Sequence, residues 1–412
     1  MPVFVRTVTL RNYKSIGTCK VNMQPLALLV GPNGAGKSNF IDSLRLVTES
    51  LRTGLEHALR ERGGIKEVRR RSRGHPRHFG IRLDLTLPDT TTAWYAFKVG
   101  SLPNGALRVQ REECHIHRFM ETLSESYFVV ENGELKGSSP DMRSKIEPDR
   151  LYLTVVSALP EFRPIYDALS NMGFYNLNPD RIRDLQSPDA GELLKRDGSN
   201  ISSVLKRLTD TERPTLKRIE EYLAGVVSGI RSVEPRTLGP RETIVFKQEV
   251  VGDPHPWEFM AENMSDGTLR ALGVLVAAFQ ATGQDQRPIP LVGIEEPELA
   301  IHPGAATVLL DALIEASQRT QIALTTHSPD LLEAKSIQGD SIVSVTSRRG
   351  ETLIAPVDKA TRESIRDGLY SAGELLRLGQ IAPDEKALEE LDRQMDLFQP
   401  TTSDGSAHHF DS

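Results

Sequence analysis

An α/β fold is predicted, with a parallel sheet core flanked by helices and a mainly helical segment inserted into it. Three observations in the 412-residue sequence carry this. An apolar run, Leu26–Val30, passes through a glycine-rich turn into a stretch with helical apolar spacing at Phe40, Ile41, Leu44 and Leu46. The last third alternates apolar strand runs with helical patterns, as parallel strands joined by crossover helices do. Between these regions, residues 150–235 read as helical; Pro160, Pro164, Pro179, Pro188 and Pro214 interrupt them and exclude a long coiled coil.

The elements follow in order. Val3 to Leu10 reads as a strand, with a turn near Lys14 and Gly17 and further strand character up to Val30. Residues 39–60 read as a helix ending near Gly63-Gly64, followed by a basic stretch of Lys66, Arg69, Arg70, Arg71, Arg73 and Arg77. Apolar residues at Ile81, Leu83, Leu85 and Leu87 alternate with strand period, and Trp94 to Val99 supplies a hairpin partner. Residues 106–130 continue as strands. Helical patterns run over Leu151–Leu169, Ile201–Leu208 and Leu216–Val227, and strand character returns at Thr243–Val250. A helix at Leu269–Phe279, a strand at Pro290–Ile294, a helix at Gly304–Ser317 and strands at Gln321–Thr326 and Ser341–Val345 complete the core. The expected divisions are residues 1–145 and 239–356 for the two lobes of the α/β domain, 146–238 for the helical insertion, and 357–412 for a tail. The end of that tail, Thr401–Ser412, is polar and reads as disordered.

Hydrophobic residues make up 38% of the chain and charged residues 26%, a soluble globular balance. The net charge of −6 opposes attraction of the whole surface to nucleic acid or an anionic membrane, leaving DNA only a local basic patch. Cys19 and Cys114 lie far apart in sequence and make no disulfide framework. No apolar run reaches bilayer-spanning length and the N-terminus has no signal-peptide pattern, so a cytoplasmic protein without membrane contact is expected.

Residues 31–38 read Gly31-Pro32-Asn33-Gly34-Ala35-Gly36-Lys37-Ser38, a GxxxxGK[ST] pattern in the strand–turn–helix context of a phosphate site. The glycines let successive N–H groups, from Gly31 through Asn33 and Ala35 to Asn39, curl round an anion, and the helix start turns its positive end toward it. Lys37 is placed to reach the β- and γ-phosphates, and Ser38 to hold Mg²⁺. A second apolar strand ends in Glu295-Glu296-Pro297-Glu298. We assign Glu295 to the metal and Glu296 to the attacking water. A third strand ends in Thr326-His327-Ser328, which offers His327 to the γ-phosphate. Ser265, Asp266 and Gly267 open another apolar helix; Ser265 reads as its N-cap and the segment as a second phosphate-facing helix start.

In this order, GPNGAGKSN, MSDGTLR, IEEPELAIHP and TTHSP resemble the motifs of ABC-type ATPase heads of the SMC, RecF and OLD (overcoming lysogenization defect) group. Within it the chain looks most like short OLD-like ATPases lacking a Toprim nuclease domain. The resemblance implies a P-loop ABC-type head, ATP and Mg²⁺ as ligands, slow hydrolysis to ADP and phosphate, and a homodimer closed through the ATP site. Ser265, Asp266 and Gly267 of one copy would meet the γ-phosphate held by Lys37 of the other, His327 would sense it, and Leu299 to His302 would lie near the seam. The sequence departs from the wider pattern in Glu295, where many P-loop proteins have aspartate, and in Ser-Asp-Gly-Thr, where transporters have Ser-Gly-Gly-Gln. For the glutamine that couples metal to the insertion, Gln110 and Gln186 are the candidates.

Residues 357–412 hold no Asp-x-Asp pair of the Toprim kind, so nuclease or toxin chemistry is expected from a separate effector protein. The leading expectation is a nucleotide-dependent switch in anti-phage defence or a toxin–antitoxin-like pair. One alternative is a RecF-like DNA-binding repair or loading ATPase using Arg69, Arg70, Arg71 and Arg73. Another is a non-hydrolysing ATP-bound scaffold that sequesters an effector. Cys114, His115 and His117 lack a second ligand pair, so zinc is not expected. The amphipathic segment Tyr370–Ile381 is expected to dock on its own domain.

Overall fold

A thirteen-stranded mixed sheet organises the chain. The computed structural model describes residues 4–72, 76–87, 91–102, 106–119, 123–142, 146–147, 149–282, 287–334, 336–394 and 396–398; Arg73 and Thr401–Ser412 lie outside the described residues. The N-terminal strands are β1 (Phe4–Tyr13), β2 (Ile16–Asn22), β3 (Leu26–Val30), β4 (His78–Thr86), β5 (Thr92–Ser101), β6 (Leu107–Phe119), β7 (Leu123–Glu131) and β8 (Glu134–Ser139). After them come β9 (Gly173–Tyr175), β10 (Ile230–Leu238), β11 (Arg241–Gln248), β12 (Trp257–Met260), β13 (Ala281–Thr282) and β14 (Arg287–Pro288). The last four are β15 (Leu291–Glu295), β16 (Gln321–Thr326), β17 (Ile342–Arg348) and β18 (Glu351–Pro356). The sheet order is β8-β7-β6-β5-β4-β1-β2-β18-β17-β3-β16-β15-β9. Its first half is an antiparallel meander, while β17, β3, β16, β15 and β9 are mutually parallel.

Period-two alternation explains why β3 is apolar throughout. Leu26, Leu28 and Val30 enter one core with residues of the helices Ile201–Thr211, Arg213–Val226, Asp266–Phe279 and Pro303–Ser317. Ala27 and Leu29 enter the other with Phe40, Ile41, Leu44 and Val47 of the helix Lys37–Thr53. Burial on both faces is what a central parallel strand requires.

The expected helix over 39–60 breaks at Gly54, whose φ of +94° divides it into Lys37–Thr53 and Leu55–Arg60. The helical pattern over 151–169 also divides, into Tyr152–Val156 and Arg163–Ser170. Within the span expected to be helical, β9 joins the edge of the main sheet beside β15, and β10 pairs with β11 in a separate three-stranded sheet. Three residues are too few to show a period, which hid β9 from the sequence pattern.

In the tail, a capping box between Ser371 and Glu374 starts the helix Ala372–Arg377, which buries Leu375. The Leu397 carbonyl accepts from Arg82 Nη1 at 3.1 Å, on the antiparallel half. Cys19 and Cys114 are buried and free, and burial pushes the Cys19 thiol up to about 12. Among the described residues no helix is long and apolar enough to cross a membrane.

Candidate nucleotide-binding site

Because β9, β15, β16 and β3 are parallel, their C-terminal ends share one edge of the sheet, where ligands bind in open α/β folds. Along it stand Asn176, Glu295 with Glu296, His327, and the Gly31–Ser38 turn.

The turn is built on Gly34 (φ +76°) and Gly36 (φ +106°), left-handed positions that a side chain would strain. No side chain caps the helix that starts at Lys37, and Asn33, Gly34 and Ser38 are exposed. Lys37 is buried, with Nζ donating to the Gly31 carbonyl at 2.7 Å and the Pro32 carbonyl at 3.1 Å. Burial lowers its pKa, opposed by the charges of Glu296 and Glu298. A polar relay braces the turn from behind. Asn39 Nδ2 donates to Ser15 Oγ (2.6 Å), Ser15 Oγ lies 2.7 Å from Thr352 Oγ1, and Thr352 Oγ1 donates to the Ala35 carbonyl (2.8 Å). The Asn39 side chain is thus committed to the β1–β2 turn.

Glu296 is held in left-handed backbone (φ +46°), its N–H donating to the Thr325 carbonyl at 3.0 Å. Its Oε1 lies 3.3 Å from His327 Nδ1, out of line for a hydrogen bond. Glu298 is buried; its Oε1 accepts from Thr326 Oγ1 at 2.5 Å, and burial raises its pKa. Glu295 receives Arg196 Nη2 at 3.1 Å.

Glu298 Oε2, His327 Nδ1 and Arg270 Nε are buried without hydrogen-bond partners. Such atoms cost about 1–3 kcal/mol each unless a polar group completes them. The backbone cradle, the lysine beside it and the unpartnered Arg270 N–H fit a polyphosphate. The Ser38 hydroxyl and Glu295 carboxylate are the hard oxygen donors Mg²⁺ prefers.

Ser265 Oγ accepts from the Thr268 N–H at 3.2 Å, so it is the N-cap of the helix Asp266–Phe279. Ser265 and Asp266 are exposed, and Asp266 pairs with Arg183 at 2.5 Å. A Cβ on Gly267 would lie 2.3 Å from the Ala300 carbonyl, so this helix start packs on the Leu299–His302 segment of its own chain. Among the described residues, no hydrogen bond or ion pair joins 265–267 to the Gly31–Ser38 turn.

Sequence reasoning missed Asn176, Arg196, Glu298 and Arg270. The two glutamine candidates sit elsewhere: Gln110 beside Gly100 in the antiparallel half, and Gln186 with its Oε1 accepting from the Ser202 N–H at 2.9 Å. Asn176, at the end of β9, stands next to Glu295 in the parallel register. Much of the basic stretch has internal partners: Arg70 pairs with Glu351 at 2.8 Å, Arg71 with Glu67, and Arg69 Nη1 donates to the Pro76 carbonyl at 3.4 Å. His115 stacks between Trp94 and Tyr127 and contacts Glu113 and Glu125.

The family described as "AAA domain, putative AbiEii toxin, Type IV TA system" matches residues 26–333. The Old nuclease of Escherichia phage P2 is 21% identical over 360 residues, covering 81% of this chain and 58% of its own length, so this chain spans well under two thirds of that relative. Among solved structures, the Smc head bound to the C-winged helix domain of ScpA superposes with a TM-score of 0.54 at 15% identity, covering 87% of this chain and 99% of that one. The Smc head with an extended coiled coil bound to the C-terminal domain of ScpA, derived from Pyrococcus furiosus, gives 0.52 at 14% identity, covering 89% and 99%. At these identities the likeness is one of fold: an ABC-type head.

Proposed function

We propose, from the premise that the chain belongs to the AbiEii-type AAA domain family and is an ABC-type ATPase of the SMC and OLD-like group, that it is a nucleotide-dependent switch. In this reading two copies close on ATP and hydrolyse it slowly. The observation that carries the reading is the convergence of Lys37, Glu296, Glu298 and His327 at one strand edge, beside an uncapped helix start.

The residues take these roles. The backbone of Gly31 to Ser38 and Lys37 bind the phosphates. Ser38 and Glu295 hold Mg²⁺, which when bound neutralises charge on the phosphate oxygens. Glu296 orients the water that attacks the γ-phosphorus, and His327, at the same strand edge, senses the γ-phosphate. Ser265 and Asp266 are exposed and Gly267 is half-buried; in the pair this helix start offers N–H groups to the γ-phosphate held by a partner copy, and Arg183 offsets the Asp266 charge. ATP then favours the closed pair, and its hydrolysis releases it.

The role in anti-phage defence or a toxin–antitoxin-like system, through a separate nuclease or toxin, is our inference from the family description and the phage relative. The internal pairing of Arg70 and Arg71 weighs against the DNA-loading alternative.

Glu296→Gln tests the switch. The variant should bind ATP, turn it over at least about a hundredfold more slowly, and accumulate as a dimer in light scattering with ATP and Mg²⁺. Wild-type turnover in Glu296→Gln, or a monomer under all nucleotide conditions, would refute it.

A further inference from the structure

We propose that Arg196 is a charge gate on the metal position: it holds Glu295 while the site is empty and pairs with phosphate oxygens once the cation takes Glu295. The inference rests on the reading of Glu295 as a metal-side acid.

The geometry is built rather than incidental. Arg196 comes from the loop that precedes the helix Ile201–Thr211, far in sequence from Glu295. Two backbone bonds zip that loop to the exit of β9: the Asn176 N–H donates to the Arg196 carbonyl at 3.0 Å, and the Asn178 N–H to the Asp197 carbonyl at 3.1 Å. Further bonds shape it. The Leu194 N–H donates to Gln280 Oε1 at 2.9 Å, the Lys195 N–H to Asn200 Oδ1 at 2.8 Å, and the Ser199 N–H to Asp197 Oδ1 at 3.1 Å. Gly198 turns the chain at φ +83°, against Ile182 and Leu177. Since β9 pairs in parallel with β15 through Ile294 and Tyr175, this anchoring sets the loop beside the strand end that carries Glu295.

Arg196 Nη2 reaches Glu295 Oε1 at 3.1 Å, and among the described residues its guanidinium makes no other hydrogen bond or ion pair. Its side chain is 47% exposed and that of Glu295 17%, so the guanidinium can leave while the carboxylate stays. A guanidinium and a divalent cation cannot share one carboxylate oxygen without like-charge repulsion. Loading the site therefore displaces Arg196 into a region where phosphate oxygens are its complementary partners, with its fork of N–H donors free.

Equilibrium binding of fluorescent methylanthraniloyl-ATP and methylanthraniloyl-ADP, titrated with Mg²⁺, tests the gate without reading turnover. In Arg196→Ala the Mg²⁺ concentration at half-maximal ATP-analogue binding should fall about threefold, because the competing cation is gone. The preference for the ATP over the ADP analogue should fall about tenfold, because a charge-assisted phosphate contact is lost. Lys195→Ala, which removes the neighbouring charge paired with Asp189, should change neither. Unaltered Mg²⁺ dependence and ATP preference in Arg196→Ala, or equal shifts in Lys195→Ala, would overturn the assignment. If the wild-type chain binds neither analogue at any Mg²⁺ concentration, the nucleotide-site reading itself fails; if it binds both and Arg196→Ala tracks it, only the gate fails.

Discussion

Asp42 is the hub behind the Gly31–Ser38 turn, on the helix that turn opens. Its carboxylate meets Lys14 Nζ at 2.6 Å, Arg45 Nη2 at 2.6 Å, Arg62 Nη2 at 3.0 Å and the Tyr13 hydroxyl at 2.8 Å. Burial alone would raise its pKa, but Arg62 and Lys14 overcome that and hold it well below the usual carboxylate range. Asp42→Asn keeps the shape and removes the charge. Arg45 and Lys14 are 20% and 28% exposed and recover solvation, whereas Arg62, at 3%, cannot. Stranding a buried cation costs about 3–5 kcal/mol. Glu49, which still receives Arg62 Nη1 at 2.5 Å, brings the expected loss to the lower end, about 3 kcal/mol. Urea unfolding of wild type and variant at pH 7 measures this. The sign with pH follows from the depressed value: the contribution is complete above the unfolded carboxylate range near 4 and is lost as pH falls below it, so the two curves should converge in acid. Replacing the pair together, as Asp42→Leu with Arg62→Met, should recover most of the loss. A loss under about 1 kcal/mol in Asp42→Asn would show that the cluster behaves as a surface network and would refute the reasoning.

Two further outcomes are expected. Burial pushes the Glu112 carboxyl from 4.5 to about 7, against bonds from the Tyr152 and Leu153 N–H groups and the Tyr95 hydroxyl. Its stabilising protonated form is complete below pH 4.5 and lost as pH rises to about 7; the wild-type minus Glu112→Gln difference in unfolding free energy should decline by up to about 3 kcal/mol over that window, and a flat difference would contradict it. Gly267→Ala forces a Cβ against the Ala300 carbonyl; we expect about 1–3 kcal/mol of destabilisation and loss of ATP-induced pairing in light scattering, with nucleotide binding by the monomer retained.

The sequence pattern reached far at this site because its chemistry is local. A nest of N–H groups, a lysine and a hydroxyl lie within eight consecutive residues, and each acidic or histidine motif follows the strand that delivers it. The placement of Lys37 at a helix start and of Glu296 and His327 just past strand ends was therefore legible without a contact map. The side-chain partner of Asn39 was not legible for the complementary reason: its position one residue past Ser38 is local, but Ser15 comes from the β1–β2 hairpin. The basic run at 66–77 shows the same limit, since composition records its charges while Glu67 and Glu351 determine how many remain free.

By itself the sequence determined the glycine-rich turn into a helix, the acids and histidine at strand ends, and the alternation that makes the sheet core parallel, since each depends on neighbours within a few residues and on the periods of helix and strand. Only the tertiary structure decided that β9 completes that core, that Arg196 stands on Glu295, and that Asp42 gathers Lys14, Arg45 and Arg62. These depend on which distant segments share a desolvated space, and a buried charge selects its partner by proximity in the fold rather than by spacing along the chain.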